Sequence, residues 1–173
     1  MVVIVKKRKI VAGIVIAVIA LVLAFQIKPI LLRIYKMPHY DIVEQMSQKY
    51  NVDHFLIYAM MKAESSFRTD AQSHVGAKGL MQVMDKTAEW AAEKIGIENF
   101  QPDMIYDPKV NIEIGCWYIA KLLEDNDGEL VNAIAAYNAG DGNLRQWQKE
   151  LGKEQLTVAE IPFADTRTYV TKV

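Results

Sequence analysis

The sequence predicts a mostly helical domain with one long loop, preceded by a single membrane-spanning helix. Three observations carry this expectation. An uncharged run of 18 residues, Ile10 to Ile27, stands near the start. Apolar residues recur at helical spacing in most segments from Asp41 onward, and no stretch alternates polar and apolar side chains as a half-buried strand or hairpin would.

Taken in order, residues 1–9 are a basic head expected in the cytoplasm, with Lys6, Lys7, Arg8 and Lys9 directly before the apolar run. Residues 10–27 are expected to be the transmembrane anchor, since 18 helical residues span roughly 27 Å, close to the thickness of bilayer hydrocarbon. A cleaved signal peptide is the competing reading. Its apolar core is usually about 7 to 15 residues long, and Val22-Leu23-Ala24 is a poor small-x-small cleavage site. Residues 28–40 form a juxtamembrane connector, and residues 41–173 form one extracytoplasmic domain. The charge is divided the same way. Seven basic and no acidic residues precede Met37, while 13 basic and 21 acidic residues follow, a net charge of −8 that disfavours a nucleic-acid partner.

Within the domain, Asp41 is placed to cap a helix running to Tyr50, and Asp53 to cap the next. That second helix contains Phe55-Leu56-Ile57-Tyr58-Ala59-Met60-Met61, apolar on every side, and is expected to be buried. The polar run Ser65 to Ser73, with Gly76 and Gly79, marks the long loop. A helix follows from Asp85 to Ile95 and stops at Gly96. Pro108 suits a first helical position, so Asp107-Pro108 opens another helix to about Glu124, ended by Asp125-Asn126-Asp127-Gly128. Helices over Glu129–Asn138 and Asn143–Glu150 complete the pattern.

Glu64 is the residue whose placement carries most chemistry. It ends the most apolar helix in the chain, where desolvation would raise its pKa and leave a carboxylic acid able to donate a proton near neutral pH. Position alone also suits a helix-end glutamate turned to solvent. Cys116 is the one cysteine, which excludes an internal disulfide and is read as a small buried hydrophobe. Trp90, Trp117 and Trp147 are read as core side chains or as flat surfaces on which a ligand ring can stack. His39, His54 and His74 are too scattered for a metal motif, so neither a metal nor a cofactor is expected.

Several ordered segments accompany Glu64-Ser65: Ser73 to Met84 (SHVGAKGLMQVM), Thr87-Ala88, Asp107-Pro108 with Asn111-Ile112 and Gly115, AYNAG at Ala136 to Gly140, and IPFADTRTYV at Ile161 to Val170. Ser73 lies nine residues after Glu64 and Gln82 eighteen after it. Across about residues 40 to 173 the chain resembles the lytic transglycosylases of the soluble-lytic-transglycosylase (SLT) type, relatives of goose-type lysozyme. The resemblance implies a lysozyme-like fold of the α+β class, with Glu64 as catalytic acid and base. It implies substrate-lining roles for Ser73, Gln82, Tyr137, Asn138 and Tyr169, and Met81 is a further candidate for sugar contact. Asp165 stands where the family usually has Glu in E-T-R-x-Y-V.

The implied activity is cleavage of the β-1,4 bond between N-acetylmuramic acid (MurNAc) and N-acetylglucosamine (GlcNAc) in peptidoglycan, ending in 1,6-anhydro-MurNAc. A glycosidase normally pairs two carboxylates. Here neither Asp70 nor Asp85 falls on a motif used as a nucleophile, which favours the sugar's own 6-hydroxyl. Two alternatives stand beside this. One is a goose-type lysozyme hydrolysing the same bond, although Gly76-Ala77-Lys78-Gly79 lacks the added aspartates. The other is a catalytically idle wall-binding module of a secretion or conjugation machine. The expected partners are glycan strands, the membrane through the N-terminal helix, and wall or secretion machinery.

Overall fold

A computed structural model describes residues 37–173, so the expected anchor at residues 10–27 lies outside the described residues. Among the described residues no helix is long and apolar enough to cross a membrane. They form seven α-helices joined by two short 3₁₀ turns: α1 (Tyr40–Tyr50), α2 (His54–Ser65), α3 (Asp85–Ile95), α4 (Pro108–Glu124), α5 (Leu130–Ala139), α6 (Asp141–Leu151) and α7 (Ala164–Lys172). Residues His39–Val173 make one compact unit.

The mostly helical expectation holds. The α+β label needs correction, because among the described residues there is no strand, only two isolated antiparallel bridges, Gln72 to Lys78 and Lys78 to Val83, inside the long loop. Helix starts follow local chemistry. The Asp53 carboxylate accepts the Phe55 N–H at 2.7 Å, and the Asp107 carboxylate accepts those of Lys109 and Val110, so both residues cap as expected. Asp41 does not. His39, in the left-handed region at φ 58°, gives its carbonyl to the N–H groups of Ile42 and Val43, which starts α1 before Asp41 and puts that carboxylate in the first turn.

Helices α4 and α5 run through the centre. Ile112, Ile114, Cys116 and Ile119 of α4 are wholly buried, as are Ala133, Ala135 and Ala136 of α5. The small residues of α5 let α4, α6 and α7 pack around it. Helix α2 buries Ile57, Met60 and Met61 but not its whole circumference, since Phe55 in its first turn is 63% exposed. The core therefore lies along one side of α2 and leads to its C-terminal end, where Glu64 sits.

Candidate active site

Glu64 is the next-to-last residue of α2. Its carboxyl is mostly withdrawn from water, and this desolvation pushes its pKa up to about 7, with the Tyr169 hydroxyl partly opposing the rise. No other acidic side chain among the described residues contributes to that shift. Two phenols face the carboxyl: Tyr137, near the end of α5, and Tyr169, on α7, are both held above the ordinary tyrosine range mainly by burial, with the Glu64 charge next. The Tyr137 hydroxyl donates to the Met81 carbonyl at 2.9 Å. That of Tyr169 is buried without a well-formed hydrogen bond, yet it stands near enough to the Glu64 carboxyl to favour its charged form.

The loop between α2 and α3 is built against this acid. Ser65, beside Glu64, donates to the Leu80 carbonyl at 2.8 Å and so ties the helix end to the middle of the loop. Asn111 of α4 ties it from the other side. Its side-chain oxygen accepts the Met81 N–H at 2.8 Å, and its amide nitrogen donates to the carbonyls of Lys78 and Ile105. Gly79 passes so close that a Cβ would stand 2.2 Å from the Asn111 amide nitrogen, and its φ of 76° suits glycine.

The candidate site residues divide by what they touch. Ser73 braces the loop, its hydroxyl oxygen accepting the Ala77 N–H at 2.9 Å. Gln82, at φ 48°, donates to the carbonyls of Gly79 and Ala71, which holds the turn before α3. Asn138 is exposed and accepts a 2.8 Å hydrogen bond from the Thr166 hydroxyl, linking α5 to α7. A pocket of about 240 Å³ brings together Gln82, Met84, Thr87, Tyr118, Tyr137 and Asn138. A more open hollow lies on the other side of Asn138, against Pro162, Phe163, Asp165 and Thr166.

Met81 does not reach either hollow. It is fully buried and packs so tightly on Gly115 that a Cβ there would meet its sulfur at 2.3 Å, which makes it a core side chain. Its place at the pocket is taken by Met84, 43% exposed. Two methionines in one loop look alike until the turn at Gln82 decides which faces outward. Tyr118 was also missed as a pocket residue; its position on α4 opposite α5 carries no local signal.

The remaining acids do not supply a partner for Glu64. Asp85 is paired with Lys78 at 2.7 Å, while Asp70 and Asp165 are exposed. Cys116 is buried, and burial pushes its thiol well above the ordinary range, so little reactive thiolate forms. A polar depression of about 560 Å³, lined by Asp125, Arg145, Lys149 and Lys153 among others, contains none of these site residues.

The chain as a whole is similar to known proteins. Residues 41–157 match the model of the Transglycosylase SLT domain family. Over 143 residues the chain is 30% identical to the soluble lytic murein transglycosylase of Salmonella typhimurium, covering 80% of this chain and 22% of that protein. It is 35% identical to the membrane-bound lytic murein transglycosylase C of Sodalis glossinidius, covering 76% and 43%. The chain thus spans about a fifth of the first relative and under half of the second. Among solved structures it is similar to the lytic transglycosylase Slt of Pseudomonas aeruginosa, an inactive mutant with glutamine in place of a glutamate (TM-score 0.73, 34% identity, 82% of this chain and 24% of that one). It is also similar to the 70-kDa soluble lytic transglycosylase in complex with bulgecin A (TM-score 0.74, 28% identity, 82% and 24%).

Proposed function

Because the chain belongs to the Transglycosylase SLT domain family, we propose that it cleaves the β-1,4 MurNAc-GlcNAc bond of peptidoglycan and leaves 1,6-anhydro-MurNAc ends, with Glu64 as acid and then base. The observation that carries this reading is a buried carboxyl pushed up to about 7, faced by two phenols and, among the described residues, by no second acid.

In the first step Glu64, protonated, gives its proton to the glycosidic oxygen. The bond from that oxygen to the MurNAc anomeric carbon breaks, and the GlcNAc side leaves with a new 4-hydroxyl. The oxocarbenium-like centre is supported by the substrate's own N-acetyl group and by the polar groups of the pocket. Ionised Glu64 then removes the proton from the 6-hydroxyl of the same muramoyl residue, whose oxygen closes on the anomeric carbon. Glu64 ends protonated, as it began. The nucleophile is already tethered, and such geometry is worth an effective concentration of up to about 10⁵ M or more, so no second carboxylate is needed to hold water.

Gln82 and Ser73 hold the loop in position for this reaction, and Asn138, Tyr137 and Tyr169 offer hydrogen bonds to the sugar. Membrane-bound relatives and the apolar run at residues 10–27 support a domain tethered outside the cytoplasmic membrane, within reach of the wall. The test is Glu64→Gln in the full-length chain. The amide keeps the side chain's shape but can neither give nor take the catalytic proton, so turnover of purified peptidoglycan should fall by at least about a hundredfold while the circular dichroism spectrum is unchanged. Turnover near the wild-type rate would remove Glu64 from the mechanism.

A further inference from the structure

Helix α3 presents Met84 at its N-cap, Thr87 in its first turn and Trp90 a turn further on, at the three-residue spacing that places side chains on adjoining parts of one helix surface. Met84 and Thr87 line the pocket with Tyr118 and Tyr137. Trp90 extends that wall outward. Its ring meets Trp117 edge-on, with centroids 4.8 Å apart and planes at 70°, and meets Tyr118 at 6.2 Å and 84°. Tyr118 lies 5.3 Å from Tyr137, whose hydroxyl stands near Glu64. A row of aromatic rings therefore runs from the catalytic carboxyl to the surface, where Trp90 remains 37% exposed.

We infer that Trp90, seated on Trp117 and Tyr118, is the stacking platform of a further glycan subsite beyond the pocket that Met84, Thr87, Tyr118 and Tyr137 line. The occupant is a pyranose ring of the same β-1,4 amino-sugar strand, and the inference rests on the peptidoglycan reading above. Three features favour that occupant. A polymer bound at Glu64 continues past the pocket, and the aromatic row gives it a continuous wall to follow. Pyranose rings present an apolar face of C–H groups that suits a broad indole, and a ring already fixed by two edge-to-face contacts gives up little freedom when it is stacked upon. Finally, Lys86, Glu89, Glu93 and Lys94 balance one another around Trp90 in charge, which suits an uncharged sugar face.

The experiment uses the full-length chain in detergent, glycan strands freed of stem peptides, and two lengths of strand, a tetrasaccharide and a strand of eight or more sugars. Affinities are measured by titration calorimetry in the Glu64→Gln background, which prevents turnover. Trp90→Ala should lower the ratio of long-strand to tetrasaccharide affinity about tenfold, equivalent to about 1.4 kcal/mol. Trp90→Tyr should restore most of it, and Phe55→Ala, exposed elsewhere on the domain, should bind as the parent does. If Trp90→Ala loses its circular dichroism spectrum, Trp90→Gln carries the comparison. A ratio within twofold of the parent, or an equal loss at both lengths, overturns the subsite and points to Trp90 as a docking point for a protein or as plain packing. Binding without cleavage by the wild-type chain would sink the transglycosylase reading and leave the subsite standing. No binding of any strand by the parent sinks both.

Discussion

Burial at Glu64 has thermodynamic consequences that do not depend on substrate. A carboxyl whose folded pKa is raised from 4.5 to about 7 binds its proton more tightly in the folded state. The wild-type chain therefore loses stability as pH rises from the unfolded value through the folded one, and the loss is complete above about pH 7. Glu64→Gln has no such proton to lose. It should match the wild type near pH 4 and exceed it by about 1–3 kcal/mol at pH 8, measured by urea unfolding at both values. A wild type that is the more stable protein at pH 8 would show that the carboxylate is well solvated. On the proposed mechanism the same proton governs rate: the acid form is needed first, so turnover should decline as pH rises through about 7. Tyr169 acts on this limb. Its hydroxyl lowers the Glu64 pKa, and Tyr169→Phe should move the alkaline limb to higher pH without loss of thermal stability, because the buried hydroxyl has no well-formed hydrogen bond to forfeit. A limb that stays in place would mean that the two groups do not interact.

The long loop between α2 and α3 is held by side chains from neighbouring elements, Asn111 of α4 above all. Asn111→Ala would leave the Met81 N–H and the Ile105 carbonyl without their partner in the core, while the Lys78 carbonyl keeps the Val83 N–H. It should cost about 2–4 kcal/mol by chemical denaturation, with activity falling further than the folded fraction because Tyr137 is anchored to the carbonyl of the same residue, Met81. A cost under about 0.5 kcal/mol would mean that the loop holds its shape without this clamp. Element starts that depend on neighbouring residues were legible in the sequence: the caps at Asp53 and Asp107, Pro108 at the head of α4, and Gly96 at the end of α3 are local chemistry. The start of α1 was not, because it depends on His39 adopting a left-handed conformation. The choice between Met81 and Met84 was also hidden, since the turn at Gln82 and the packing against Gly115 decide it across the fold.

At the scale of the whole molecule, Glu64, Tyr137 and Tyr169 come from three helices, α2, α5 and α7, which converge although more than 100 residues separate the first from the last. Periodicity could place each on a helix, and the spacing of the segments from Ser73 to Val170 made the resemblance readable. The phenols' approach to the acid became visible only in the fold. On the proposed mechanism the chain supplies one proton carrier and the substrate supplies the nucleophile, and the chemical ends of the products report on that directly. Peptidoglycan digested by the full-length chain should yield muropeptides ending in 1,6-anhydro-MurNAc, lighter by one water than the hydrolytic products and unchanged by borohydride under mass spectrometry. MurNAc ends that borohydride reduces would show that water is the nucleophile and would contradict the account.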